Sequence, residues 1–180
     1  MNSTSRFSAE TLITLPRRGA VVPNSDGTLA YFTESQHVLG GKTVEGYGLL
    51  DVASGELSQL ALEDSASEVL WLGIDTGTLL YLSRGENGQT FIKTVDARKS
   101  SAKRTVIGSI NAPVSGLKLK LLENGAIALL AVGLRDGTGA LYNNELYKPS
   151  HTGKVTDSIN PRIVSIQIMH LFFSWVLLIT

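Results

Sequence analysis

Three histidines, His37, His151 and His170, are the side chains best suited to carry a proton near neutral pH in this 180-residue chain. Each sits in a different setting. His37 lies in the polar run ESQHVLGGKT, His151 in KPSHTGK, and His170 in the apolar stretch MHLFF. A serine nucleophile needs Gly-x-Ser-x-Gly, whose small residues permit the strained strand-to-helix turn, and no serine here has that frame. Ser-x-x-Lys occurs at Ser100/Lys103 and Ser115/Lys118, but both fall in strand-and-turn sequence, and the motif needs one helical face. GGKT, Gly40 to Thr43, is the end of a phosphate-binding loop by composition. That loop needs a glycine where Gln36 stands, and it must open a helix. Asp26-Gly27 and Asp136-Gly137 are turn dipeptides without the alternating acids and distal glutamate of a calcium loop. The chain has no cysteine, so thiolate chemistry, disulfides and cysteine zinc sites are excluded. No catalytic, metal or cofactor-binding residue is therefore assigned, and no cofactor is expected.

The elements around these residues read as strands and turns. Eighteen glycines punctuate short alternating apolar stretches, and no amphipathic run of helical period precedes residue 159. SDGTLAYFTES (25–35) returns as DTGTLLYLSRG (75–85) and, more loosely, as ENGAIALLAVG (123–133). The turn glycines Gly27, Gly77 and Gly125 lie 50 and 48 residues apart. After the first two copies comes a second strand pair, YGLLDVASGELSQL and TFIKTVDARKSSAKRTVIG. Each unit thus holds about four strands in about 50 residues, the period of a propeller blade. A sandwich or barrel also alternates strands with glycine turns, and that alternative stays open on periodicity. Trp71, in EVLWLG, is expected to fill a core or a blade interface.

Sixteen basic and sixteen acidic residues cancel. Arg17-Arg18 and Lys103-Arg104 are only pairs, so the chain lacks the basic stripe that nucleic acid requires, and no nucleic-acid partner is expected. The N-terminus carries no apolar leader, and Asn2 opens an Asn-Ser-Thr triplet that matters only in a secreted chain.

LPRRGAVVPNSDGTLAYFTES, LLDVASGELSQL, WLGIDTGTLLYLSRGENG, INAPVSGLKLKLLENGAIAL and GALYN, in that order, resemble the N-terminal propeller of fungal dipeptidyl-peptidase V. The run Ala112 to Lys118 is the most specific of them, and the resemblance spans Phe7 to Ser158. The family belongs to the prolyl oligopeptidase class of serine peptidases. The resemblance implies an all-β, incomplete β-propeller of about three four-stranded blades over residues 1–158. In the family an α/β-hydrolase domain follows and carries the Ser, Asp and His that release dipeptides from peptide N-termini. No position here matches those three, so the chain is expected to be inactive alone, with peptide substrates its partners only through that domain. Secretion is also implied, although no leader is present.

After VTDS the family pattern stops, and residues 159–180 read INPRIVSIQIMHLFFSWVLLIT. Three readings of this tail stand. Residues 163–179 could anchor the chain in a membrane, although a span wants about 20 apolar residues, and a stand-alone interaction module tethered this way is the alternative function. RIVSIQIM alternates well enough for a core strand. Or the tail is foreign to the fold, which makes the chain a truncated product.

Overall fold

Turns built on an aspartate set the strand spacing. In the first unit Asp26 Oδ1 accepts from the Thr28 amide at 3.0 Å and from its hydroxyl at 2.6 Å, and Gly27 takes φ of 72°. In the second, Asp75 accepts from the amides of Gly77 at 2.9 Å and Thr78 at 2.6 Å. Side-chain oxygens that bond the backbone two residues on stabilise such a turn before any tertiary contact forms. The computed structural model describes residues 8–73, 75, 77–99, 103–123, 126–134, 141, 143 and 164–171.

The first sheet is an antiparallel meander of β1 (Arg17–Pro23), β2 (Leu29–His37), β3 (Thr43–Asp51) and β4 (Leu57–Leu60), in that order. The second repeats it with β5 (Ala66–Trp71), β6 (Thr78–Arg84), β7 (Thr90–Asp96) and β8 (Thr105–Ile110). The third places β10 (Ile127–Leu134) between β9 (Val114–Leu121) and β11 (Val164–Leu171). Four-stranded antiparallel meanders in strict sequence order are the make-up of propeller blades, whereas a Greek-key sandwich would carry strands across sheets. The chain is all-β, an incomplete propeller with two four-stranded blades and a third of three described strands.

A short helix, α1 (Ala9–Thr14), precedes β1. It is too short to show a helical period. Its signal is the cap: Ser8 Oγ accepts from the Thr11 amide at 3.1 Å.

Contacts divide the chain into two units, residues 1–64 with 97–101, and residues 65–96 with 102–180. The first holds α1 and the first sheet, where Leu29, Ala30, Tyr31, Phe32, Leu49 and Leu60 are buried. The second holds the other two sheets and a shared core. Leu80, Leu82 and Ile92 of the second sheet join Leu117, Ile127, Leu129 and Ala131 of the third in one apolar cluster. Register explains which side chains take part. Leu82 sits opposite Ile92, and on β10 the odd-numbered residues are buried while Ala128, Leu130 and Val132 are half-buried and Leu134 is exposed. Each buried Leu or Ile contributes about 1.5–3 kcal/mol. Trp71, at the end of β5, is half-buried.

Val164–Leu171 lies inside the tail that sequence left open between anchor, core strand and foreign sequence. It forms β11, paired antiparallel to β10. Residue 163 and residues 172–179 of the suggested anchor lie outside the described residues. Among the described residues no helix is long and apolar enough to cross a membrane.

Candidate functional site

The first sheet carries a recess of about 300 Å³ on one face. Cross-strand register assembles it. Arg18 on β1 is opposite Glu34 on β2, Glu34 is opposite Gly46 on β3, and Phe32 is opposite Gly48. Gly48 in turn faces Gln59 on β4. The two glycines on β3 leave the floor bare. A β-carbon at Gly48 would overlap the Phe32 ring, which lies across that position. Arg18 Nε donates to Glu34 Oε2 at 3.1 Å, and its guanidinium carbon stands 5.2 Å from the Phe32 ring centre. The two charged side chains are 54% and 39% exposed, so their pairing adds no more than about 1 kcal/mol. The recess offers a satisfied ion pair, an aromatic wall and amides. Its lining includes Tyr47 and Ser58 but none of the three histidines.

The residues singled out for chemistry are scattered. His37 ends β2 and its Nδ1 lies 3.4 Å from Thr43 Oγ1, an exposed contact across a hairpin mouth. GGKT is that hairpin's turn: Gly40 has φ of 71° and β3 follows, so no helix receives the loop. Ser115 and Lys118 are both on β9, on either side of an irregularity in its pairing with β10. Asp26 is engaged by Thr28 and fixes its turn. His170 falls in β11. His151, Ser100 and Asp136-Gly137 lie outside the described residues. Among the described residues no group of three His, Cys, Asp or Glu side chains is placed to hold a metal ion.

Two acids are tuned by local hydrogen bonds. The Thr28 hydroxyl and amide hold Asp26 below the usual carboxylate range, and the Ser54 amide and hydroxyl do the same for Asp51. Burial, with Tyr47 nearby, pushes the Tyr31 phenol up. Asp26 and Asp51 thus fix hairpin ends, while Tyr31 lies within β2.

In the second unit, one polar residue ties three connections together. Asn143 is 2% exposed, and its amide nitrogen donates to the carbonyls of Asn87 at 2.8 Å and Asn111 at 3.2 Å. Thr90 adds a link, donating to the Ala112 carbonyl at 2.8 Å and accepting from the Val114 amide at 3.3 Å. Sequence reading assigned no role to Asn143 or to the Arg18–Phe32–Glu34 set. The first could only be suspected from an Asn-Asn pair after an apolar strand, and the second depends on a register that no local pattern reveals.

No protein-family model matches the chain. Among curated proteins, the dipeptidyl-peptidase 5 of Aspergillus oryzae is 31% identical over 161 residues, which is 85% of this chain and 22% of the relative. A probable dipeptidyl-peptidase 5 of Aspergillus clavatus is 33% identical over the same length, and that of Emericella nidulans is 30% identical over 169 residues. The chain is similar to fungal dipeptidyl-peptidase 5. The likeness covers 85–89% of the chain, whereas the chain spans only 22–23% of the length of these relatives. Among solved structures, the β-propeller domain of the Trilobed protease from Pyrococcus furiosus aligns over 66% of this chain and 34% of its own, with a TM-score of 0.46 and 13% identity.

Proposed function

We propose that the chain is the opening part of the β-propeller of a secreted serine dipeptidyl-peptidase, a non-catalytic part that helps restrict which peptides reach the active centre. One observation carries this reading: the chain that shows the 50- and 48-residue blade repeat is 31% identical to dipeptidyl-peptidase 5 over 161 residues, 85% of its length. The chemistry of the described residues agrees, because the recess and the inter-blade hydrogen bonds serve packing and shape. By this reading the chain alone does not hydrolyse peptides. The test is a release assay with dipeptidyl p-nitroanilides on the purified 180-residue chain. The expected result is no turnover above buffer. Turnover that co-purifies with the chain, and is absent from a mock purification of the same host without it, would overturn the non-catalytic assignment.

A further inference from the structure

Among the described residues three sheets present six outer strands, and five of them carry a feature that discourages pairing with another chain. β1 holds Arg17, Arg18 and Pro23, and its register with β2 slips between Arg18 and Val21. β4 is only four residues long. β5 slips between Ser67 and Leu70, where Glu68 takes φ of 53°. The pairing of β8 with β7 slips between Ile92 and Lys93. β9 carries Lys118, Lys120 and Gly116, which takes φ of 64° beside its own slip against β10. Such irregularities twist or charge an edge until a second strand no longer fits.

β11 has none of these. It pairs with β10 through eight consecutive positions, from Leu134↔Val164 to Ile127↔Leu171, without a slip. Its sequence, VSIQIMHL, contains no proline, glycine, lysine, arginine or acid, and three of its eight residues are β-branched. It is the outer strand of its sheet, and among the described residues no strand pairs with its other edge. An eight-residue strand in regular register runs for about 27 Å. Its outward backbone donors and acceptors are spaced to receive another strand along that whole length.

We propose that the outer edge of β11 is a strand-addition surface, and that its occupant is β11 of a second copy of this chain. The pairing is antiparallel about a two-fold axis, so the third sheets of two copies merge into one six-stranded sheet. A two-fold interface must be self-complementary, because the same patch serves both sides. β11 meets that condition. In the register centred on Gln167, Gln167 faces its own copy, Ile166 faces Ile168, Ser165 faces Met169 and Val164 faces His170, and no acid or Lys/Arg pair opposes another. The two edges are also equal in length and equally regular, which a strand from β1, β4, β5, β8 or β9 would not be.

The test uses the full chain. Light scattering after size exclusion, over a range of concentrations, should report a dimer. Ile166→Lys combined with Ile168→Lys places like charges across the two-fold axis and should shift the mass to monomer. Val106→Lys, on the exposed edge of β8, should leave the dimer intact. Because lysines in β11 can also weaken its pairing with β10, a second readout stands apart from folding. The chain lacks cysteine, so Gln167→Cys supplies a single thiol. A short bis-maleimide should then link two copies at Gln167→Cys far more efficiently than at Val106→Cys. A monomer at all concentrations overturns the proposal. So does an assembly that the β11 lysines leave untouched, or cross-linking that is equal at the two positions.

Discussion

Gly48 has no freedom to become anything larger. The Phe32 ring occupies the space of its β-carbon, so Gly48→Ala forces the ring off its site or the strand away from β2. Overpacking of this kind costs about 1–3 kcal/mol. Urea denaturation of Gly48→Ala should show that loss, and Phe32→Leu in the same chain should recover part of it, because the two positions are in contact. Asp26 and Asp51 give a residue-scale prediction of a different kind. Both are held below the ordinary carboxylate pKa in the folded chain by hydrogen bonds from Thr28 and Ser54. Their contribution to stability is therefore complete above the unfolded value, near 3.8, and is lost as pH falls through the lower folded value. Replacing both with Asn should flatten the decline of the urea midpoint between about pH 5 and about pH 2.5. At this scale the sequence was most readable where one side chain bonds its own backbone. The Asp26, Asp75 and Ser54 turns stand where Asp-Gly, Thr-Gly and Ser-Gly had placed them. Arg18, Phe32, Glu34 and Gly48 were opaque for the opposite reason: they meet across three strands, and only register brings them together.

Each blade's first strand carries an irregularity near its middle, at Arg18/Val21, Ser67/Leu70 and opposite Leu130/Val132. The third uses glycine, Gly116, at φ of 64°, while the second uses Glu68 at φ of 53°. An L-residue other than glycine pays about 1–2 kcal/mol there. Glu68 offsets part of this cost because its Oε1 accepts from the Gly116 amide at 3.3 Å, linking β5 to β9. Glu68→Gly relieves the backbone and loses that bond, so its stability should stay within about 1 kcal/mol of the parent. Glu68→Val keeps the strain, adds a branched β-carbon and loses the bond, and should be the less stable by about 2 kcal/mol in the same thermal melt. Asn143 acts between elements as well. Asn143→Leu would leave the carbonyls of Asn87 and Asn111 without this donor, costing about 1–3 kcal/mol. Blade spacing was legible because glycine turns recur at 50 and 48 residues. The bulges were not, since a bulge is a relation between two strands and Glu68 carries no glycine to mark it. α1 was missed because six residues cannot display a period of 3.6.

At the scale of the whole chain, the packing of the second sheet on the third sets a rule for what the third sheet's other face should meet. By the repeat, Leu80 and Leu82 correspond to Ala128 and Leu130. Leu80 and Leu82 are 0% and 1% exposed under the third sheet, while Ala128 and Leu130 are half-buried. Lys118 and Lys120 stand opposite Leu130 and Ala128 on the same face. Under the propeller reading, that face is finished by a further blade whose apolar surface matches Leu130 and whose first strand offers acids to the two lysines. The prediction concerns a chimaera in which residues 159–180 are replaced by the sequence that follows the matching stretch in the Aspergillus oryzae relative, its first strand taking the place of β11 beside β10. Covering one more apolar face adds burial worth about 25 cal/mol per Å². Amide exchange in β10 should slow, because its backbone would then open only with the larger unit. Lys118→Glu together with Lys120→Glu should weaken that protection in the chimaera and leave exchange in β2 and β3 as it was. If β10 exchanges at the same rate with and without the added segment, the face is not a blade interface, and the repeat describes three sheets that need no continuation.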